Sequence, residues 1–539
     1  MAIYLDRCAI FAGGMLALPG TALLVTKNMN QDEQPKTESF ASRNPIAANM
    51  AFGFLSWVLP GLVAFFSTPI VVTALGPHDF GLYALIFGFI SYSVSFSIGK
   101  GVTKYVAEYK PAGNYEKIND VLSATLFLCL LIGLGAALFL IGGSSLLVRD
   151  AVQIAPADQA KSITSFYLAA AVIFFYTLSQ VFSAVLTGLH RFDIYSYVTT
   201  FYGVLLASGN ITLAMMGFGI VELFWWCLFT NIVICVVYFI CAKRLLPEMK
   251  IKLNFHRETL ALVFKYSSGV ILGQIFANIL LLFERGLITR TLGAEFLTYY
   301  AVPMTLAIYI HSFVGSLIMV IFPKASELGA QQAKQITLYE RTTKVVVTMV
   351  AFIAVTMIAA SHIFLYRWVG VQIADNGAPA FVLLVLIFSL LAVGGITWQL
   401  AEGLGHTRYN ALLTFSWLAI SAVLMLLLIG PWGIFGVGFA RLMGVLTIPA
   451  SILYIEHWLL GGVRWRFWVK LLSVLFVATA AAGLTEWLVF KNMAVSWLTL
   501  FAGGAAGIVV YTITLFIFGW WTNDEKELFS RLVFRASKA

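Results

Sequence analysis

The sequence predicts an all-α polytopic membrane protein of about 14 transmembrane helices, built as two parallel six-helix lobes plus two C-terminal helices. Three observations carry that reading. Hydrophobic residues fill 60% of the 539 positions and charged residues 11%, against about 25% charged in a soluble domain. The apolar residues fall in continuous runs of bilayer-spanning length, not in the short alternating segments of a barrel. The runs also repeat at a fixed interval along the chain. A soluble enzyme, a secreted disulfide scaffold and a disordered chain are excluded, because a chain this apolar could not cover its own core with polar surface.

Residues 1–45 read as an N-terminal extension with one weak apolar segment, 8–25. Asp6 and Arg7 precede that segment, and Gly13, Gly14, Pro19 and Gly20 interrupt it. Its start is barely basic for a cleaved signal peptide, so a loosely attached membrane segment or an overlong translated start is preferred. Fourteen spans follow, at 50–74, 81–100, 121–142, 163–187, 195–217, 220–242, 267–289, 298–322, 345–366, 379–401, 410–430, 434–456, 468–490 and 496–519. They divide the chain into a first lobe at 46–243, a cytoplasmic linker at 244–266 and a second lobe at 267–457. Two additional spans occupy 458–520, and 521–539 is a cytoplasmic tail. Cys129, Cys227, Cys235 and Cys241 lie in apolar stretches and Cys8 in the extension, with no CxxC and no Cys/His cluster. They read as packing residues, and no disulfide framework or metal site is expected.

Charge sets the orientation. The loops after even-numbered spans hold nineteen Lys and Arg, from Lys100 to Lys470. Those after odd-numbered spans hold five: Arg149, Lys161, Arg290, Arg367 and Lys491. The positive-inside rule then places the even loops and both ends of the fourteen-span core in the cytoplasm. The net charge of +9 is a topology signal, since no clustered basic surface for nucleic acid accompanies it.

A shift of 217 residues superimposes distant turns. Leu75-Gly76 falls on Leu292-Gly293, Tyr83-Ala84 on Tyr300-Ala301, Gly188 on Gly405, Arg191 on Arg408, and Phe218-Gly219-Ile220 on Phe435-Gly436-Val437. Spans one to six thus repeat as seven to twelve. Six is even, so the halves share one orientation and are related by a pseudo-twofold axis along the membrane normal, as in transporters whose halves rock about a central cavity. No GxxxxGK[ST] loop and no HExxH motif occurs, and no loop is large enough to hold an acceptor and paired carboxylates. An enzyme is not expected, and neither is a cofactor.

The segment Leu75-Gly76-Pro77-His78-Asp79-Phe80-Gly81-Leu82-Tyr83-Ala84 resembles the first-span exit of the polysaccharide and O-antigen flippases of the multidrug/oligosaccharidyl-lipid/polysaccharide superfamily. Ile321-Phe322-Pro323-Lys324-Ala325-Ser326-Glu327-Leu328 resembles their end-of-eighth-span segment, and Gly433-Ile434-Phe435-Gly436-Val437-Gly438-Phe439-Ala440 the start of their span twelve. The resemblance implies a flippase for a polyprenyl-diphosphate-linked oligosaccharide, an O-antigen or exopolysaccharide repeat unit, in the bacterial inner membrane. Its expected partners are that lipid-linked substrate, membrane lipids, a polysaccharide polymerase and glycosyltransferases. The alternatives are a drug or organic-cation antiporter of the same superfamily and a membrane polysaccharide polymerase. The antiporter branch usually has an acidic residue in span one and the lipid II flippase branch arginines, yet nothing from Ile46 to His78 is charged.

A diphosphate crossing a layer of ~30 Å needs cations or hydrogen-bond donors on the way, and an intramembrane charge itself needs a reason. Arg441 and Arg285 are the arginines well inside the spans, and Lys100 and Lys104 close span two one turn apart. These four are the candidate diphosphate or sugar contacts. Glu284 and His311 are candidate structural or coupling groups, with a Glu284–Arg441 bridge as the competing role for Arg441. Lys100 and Lys104 alternatively snorkel to lipid headgroups. Glu402 and Glu486 sit near span ends and read as interfacial. Trp57, Tyr92, Tyr176, Tyr202, Tyr309 and Trp398 are aromatics within spans, suited to stacking on sugars or to packing. Pro60 and Pro69 favour a bend in span one that its repeat partner lacks, with Ala277 and Gly286 at the equivalent positions.

The orientation is tested with single cysteines and an impermeant thiol reagent on intact cells. Cysteines near Lys250 and Gln332 should stay unlabelled and one near Gln372 should react; the reverse pattern would overturn the assignment.

Overall fold

The computed structural model describes residues 45–93, 99–251, 257–318, 331–404 and 406–520. The extension, the tail and the motif from Ile321 to Leu328 lie outside the described residues. Among those described there is no strand. The helices are α1 Pro45–Ser93, α2 Gly99–Tyr109, α3 Tyr115–Leu146, α4 Pro156–Gly188, α5 Phe192–Met215, α6 Ile220–Leu245, α7 Arg257–Leu292 and α8 Ala294–Ile318. They continue as α9 Gln332–Ala359, α10 Ser361–Val369, α11 Val371–Gly403, α12 Thr407–Val445, α13 Thr447–Leu459, α14 Trp465–Asn492 and α15 Trp497–Ile517. A π-turn, Leu147–Ala151, ends α3.

Eleven stretches of described helix are long and apolar enough to cross a bilayer. Two of these are double, because Val58–Tyr92 breaks at Gly76 and Arg408–Leu459 at Gly433. Helix α7, which carries Glu284, Arg285 and Arg290, is not among those stretches; counted with them it makes fourteen among the described residues. The break in α1 falls at Gly76, where φ is 77°, and not at Pro60 or Pro69. A side chain rarely adopts that backbone, so glycine is required there, and Pro77 then opens the next helix where its missing N–H costs nothing. Helix α7 begins at Arg257, inside the stretch expected to be linker.

The repeat is visible in the backbone. Gly76 and Gly293, 217 residues apart, both have positive φ, as do Gln153 and Gly370 at the same spacing. Helices α3 and α9 start at the same offset, Tyr115 and Gln332. Helix α4 packs against α2, α3 and α6, and its counterpart α11 against α8, α9, α12 and α13. Each is the centre of its lobe: Phe166, Ala169, Ala170 and Ile173 of α4 and Phe381, Leu384, Val385 and Phe388 of α11 are buried core. Large side chains such as Leu131, Phe139, Phe476, Phe501 and Phe516 are exposed, as expected where lipid replaces water as the outer solvent.

Helices α14 and α15 pack on each other and on α9. Two buried carboxylates secure them. Glu456 of α13, fully buried, accepts from Tyr339 Oη at 2.8 Å, Trp468 Nε1 at 2.7 Å and the Arg464 N–H at 2.9 Å. Glu486 of α14 accepts from Thr356 Oγ1 at 2.7 Å and is fully buried, not interfacial as its place near a span end suggested. The reason is Gly507 of α15: a Cβ there would lie 2.1 Å from Glu486 Oε1, so glycine lets α15 close over the carboxylate.

Removing the Glu456 acceptor should strand three donors. Glu456→Ala is expected to cost about 2–4 kcal/mol, read as a lower Tm of the purified protein. Glu456→Gln keeps one acceptor oxygen and should lose less; equal Tm values for wild type and the alanine variant would rule the anchor out.

Candidate functional site

Five hydrogen bonds between the lobes have one form: a second-lobe side chain donates to a first-lobe backbone carbonyl. Arg285 Nη1 reaches Ala84 O at 2.7 Å, Tyr309 Oη reaches Gly61 O at 3.1 Å and Trp368 Nε1 reaches Phe65 O at 3.0 Å. Thr298 Oγ1 bonds Pro77 O, and Arg290 Nη1 reaches Ala151 O at 3.2 Å. The Phe65 carbonyl is available because its helical partner four residues on is Pro69, which has no N–H. Trp368 also stacks on the Phe65 ring, 5.2 Å between centroids. Arg285 lies over the Tyr92 ring at 5.3 Å, and Gly88 gives it room, since a Cβ there would come within 2.8 Å of its Cδ.

A cavity of about 440 Å³ lies in the second lobe, with Lys100 of α2 reaching its lining. Lys100, His311, Trp398, Glu402, Trp417 and Arg441 line it. Lys100 stands at the start of α2 and is exposed, while Arg441 is only 2% exposed. Arg441 Nη1 donates to Glu284 Oε1 at 3.1 Å and Oε2 at 3.0 Å, and its guanidinium lies 5.2 Å from the Phe388 ring centroid. Glu284 is 1% exposed, so the two charges neutralise each other out of contact with solvent. Glu402 accepts from Trp398 Nε1 at 2.8 Å, and Asn410 Nδ2 donates to the Trp398 carbonyl at 3.2 Å. His311 Nδ1, Trp417 Nε1 and Arg441 Nε are buried without a hydrogen-bond partner. A buried polar atom left unsatisfied costs about 1–3 kcal/mol, and three such atoms belong to residues that line one cavity.

Of the six candidate residues, the cavity brings together Lys100, His311 and Arg441. Glu284 stands behind Arg441 as its counterion. Arg285 is absent from the lining and ties α7 to α1. Lys104 is one turn beyond Lys100, 4.8 Å from the Tyr105 ring centroid. Sequence reasoning passed over Trp417, Asn410, Thr414 and Gln274, which also line the cavity. The available signal was their polarity inside otherwise apolar spans. Among the described residues, His78, Asp79 and Asp158 are close enough to share a metal ion, but Lys161 Nζ already lies 2.7 Å from Asp79 and 2.8 Å from Asp158.

Comparison with known proteins adds to this geometry. A family model described as polysaccharide biosynthesis protein matches residues 70–374, more than half of the chain. A Shigella flexneri protein named "Putative O-antigen transporter" is 20% identical over 407 residues, covering 72% of this chain and 93% of that protein. The inward closed structure of the lipid II flippase MurJ superimposes with a TM-score of 0.66 at 14% identity, covering 86% of this chain and 98% of that one. An inward-facing multidrug resistance transporter of the MATE family, in the MOP superfamily, gives 0.60 at 17% identity, covering 74% and 95%. At these identities the two structures establish a shared fold.

The buried ion pair makes a thermodynamic cycle informative. Arg441→Ala strands Glu284 and should cost about 3–5 kcal/mol, seen as a lower Tm and lower membrane abundance. The double change Arg441→Gln with Glu284→Gln should recover most of that loss; a double variant as unstable as Arg441→Ala would show that the pair is not the source.

Proposed function

The chain belongs to the polysaccharide biosynthesis protein family, and on that premise we propose that it flips a polyprenyl-diphosphate-linked oligosaccharide across the bacterial inner membrane by alternating access between its two lobes. The observation that carries this reading is the second-lobe cavity: a cation at its mouth, unpartnered donors within and aromatic faces around them. Lys100 meets the diphosphate as it arrives, with Lys104 one turn away on the same helix. Inside, the Arg441 Nε and Trp417 Nε1 N–H groups are donors for the last phosphate oxygens, and His311 Nδ1 is an acceptor for a sugar hydroxyl. Trp398, Trp417 and Tyr409 supply apolar ring faces of the kind that stack on sugars. The printed name of the Shigella relative agrees with this substrate class.

Mechanism follows from where the lobes hold together. Arg290, Thr298 and Trp368 bond the first lobe close to the turns at Gly293 and Gly370, and Arg285 lies two helical turns from Gly293. Lys100, Glu402 and Asn410 lie at the opposite ends of their helices. The substrate enters beside Lys100. The carbonyl-directed hydrogen bonds must then exchange for others as the lobes rock and the cavity opens to the far side. Orientation by positive charge makes the Lys100 end cytoplasmic, the side on which lipid-linked glycans are assembled in this reading. A drug-cation antiporter is disfavoured, because Glu284 and Glu402 are both engaged and Lys100 repels a cation at the mouth.

The test is flipping of a fluorescent polyprenyl-diphosphoryl sugar by the full-length protein in proteoliposomes. Wild type should move the lipid, Lys100→Ala should slow it about tenfold, and Lys100→Arg should retain most of the rate, because a surface cation–phosphate contact is worth on the order of 1 kcal/mol and survives exchange of one cation for the other. No flipping by a correctly folded wild-type protein would refute the substrate class.

A further inference from the structure

A second cavity, about 200 Å³, lies within the first lobe. We propose that this cavity, lined by Tyr176, Tyr195, Tyr202 and Tyr238 with Gln180 and Asn231, is a subsite for one uncharged sugar ring of the transported glycan. The proposal rests on the reading that the substrate is a lipid-linked oligosaccharide, and it names what the first lobe recognises.

The lining has a distinctive chemistry. Four phenols and two amides are joined by the hydroxyls of Ser179, Ser183 and Thr199, and no Asp, Glu, Lys, Arg or His is present. So many polar groups in the middle of a bundle are costly unless something satisfies them. Some of that satisfaction is internal: Thr199 Oγ1 and Tyr238 Oη are 2.9 Å apart, and Asn231 Nδ2 donates to Cys227 O at 2.8 Å and Tyr202 Oη at 3.3 Å. Asn231 Oδ1 has no partner, although the residue is only 1% exposed. An unsatisfied buried acceptor on a lining residue needs a donor that the protein does not supply, and a sugar hydroxyl supplies one once the Asn231 amide turns toward the cavity. The volume is that of roughly seven waters at about 30 Å³ each, suited to a single ring and below the ~300 Å³ of a typical drug-sized site. An ionised group would enter without a counter-charge, so a uronic acid or an amine is rejected by desolvation.

Position argues against an accident of packing. Gln180, Asn231, Ile234 and Tyr238 line this cavity, and Thr397, Ile448, Ser451 and Ile455, each 217 residues later, line the large one. The two cavities are the same place in the two repeats, filled with different chemistry. A close helix contact joins their linings. Lys100 lines the second-lobe cavity, and a Cβ on the preceding Gly99 would lie 3.1 Å from the Gln180 carbonyl oxygen. A diphosphate at Lys100 is therefore one residue from the helix contact with Gln180 of the first-lobe lining.

The experiment measures binding to the full-length protein in nanodiscs by intrinsic tryptophan fluorescence. The probes are undecaprenyl diphosphate and undecaprenyl-diphosphoryl-N-acetylglucosamine. Tyr202→Phe removes one hydroxyl, and Ser183→Leu narrows the cavity with apolar volume. Each should weaken the sugar-bearing lipid about three- to tenfold and leave the sugarless lipid unchanged. Unchanged affinity for the sugar-bearing lipid in both variants, or equal loss for both lipids, would overturn the subsite. Failure of the wild type to bind either lipid would instead overturn the lipid-linked substrate, and the subsite with it. The Tyr202→Phe change is small enough to keep the test valid if Ser183→Leu does not fold.

Discussion

The contact on which the two-lobe arrangement depends is the bond from Trp368 Nε1 to the Phe65 carbonyl, and the family of bonds to which it belongs. In a bilayer a backbone carbonyl must find a donor within the protein. Pro69 denies Phe65 its helical donor, and the second lobe provides one. The other members, from Arg285, Tyr309, Thr298 and Arg290, use side-chain donors on carbonyls of the first lobe in the same way. Such bonds add direction to an apolar core that itself includes residues of both lobes. They are also individually modest, at about 0.5–1.5 kcal/mol net for the neutral donors and about 1.5–3 kcal/mol for the two arginines.

The same demand for partners separates structural charges from available ones. Arg441 and Glu284 satisfy each other in full burial, so the pair contributes a neutral wall to the cavity more than a positive one. Glu456 and Glu486 are engaged by donors from neighbouring helices and hold the last two helices in place. What is left for a ligand is Lys100 at the mouth and isolated N–H groups inside. In the proposed reading, a cation at the mouth and polar groups inside suit a molecule whose charge is confined to one end.

The repeat supplies two equivalent cavities and the sequence differentiates them. Asn231 stands where the second lobe has Ile448, and Tyr238 where it has Ile455. The second lobe in turn carries the ion pair, the histidine and the additional helices. Pseudo-symmetry thus fixes where cavities form, and side-chain divergence decides the chemistry of each.

Much of this protein was legible before any coordinates. Each span expected from hydropathy falls on described helix, because the cost of placing a polar residue in hydrocarbon is local and needs no knowledge of neighbours. The offset of 217 foretold that Gly76 and Gly293 would turn alike, since positive φ is a property of single residues. Partnership was not legible. The sequence left Arg441 open between substrate and Glu284, 157 residues away, and only helix rotation and packing place Nη1 3.0 Å from that carboxylate. It offered Arg285 as a second ligand contact, whereas tertiary structure turns it across to Ala84. It read Glu486 as interfacial, because depth estimated along one helix says nothing of Gly507 on the next. Spans, turns and internal symmetry follow from one residue or one helix at a time; which polar groups remain free for a substrate depends on how far-separated helices meet, and that is decided only in three dimensions.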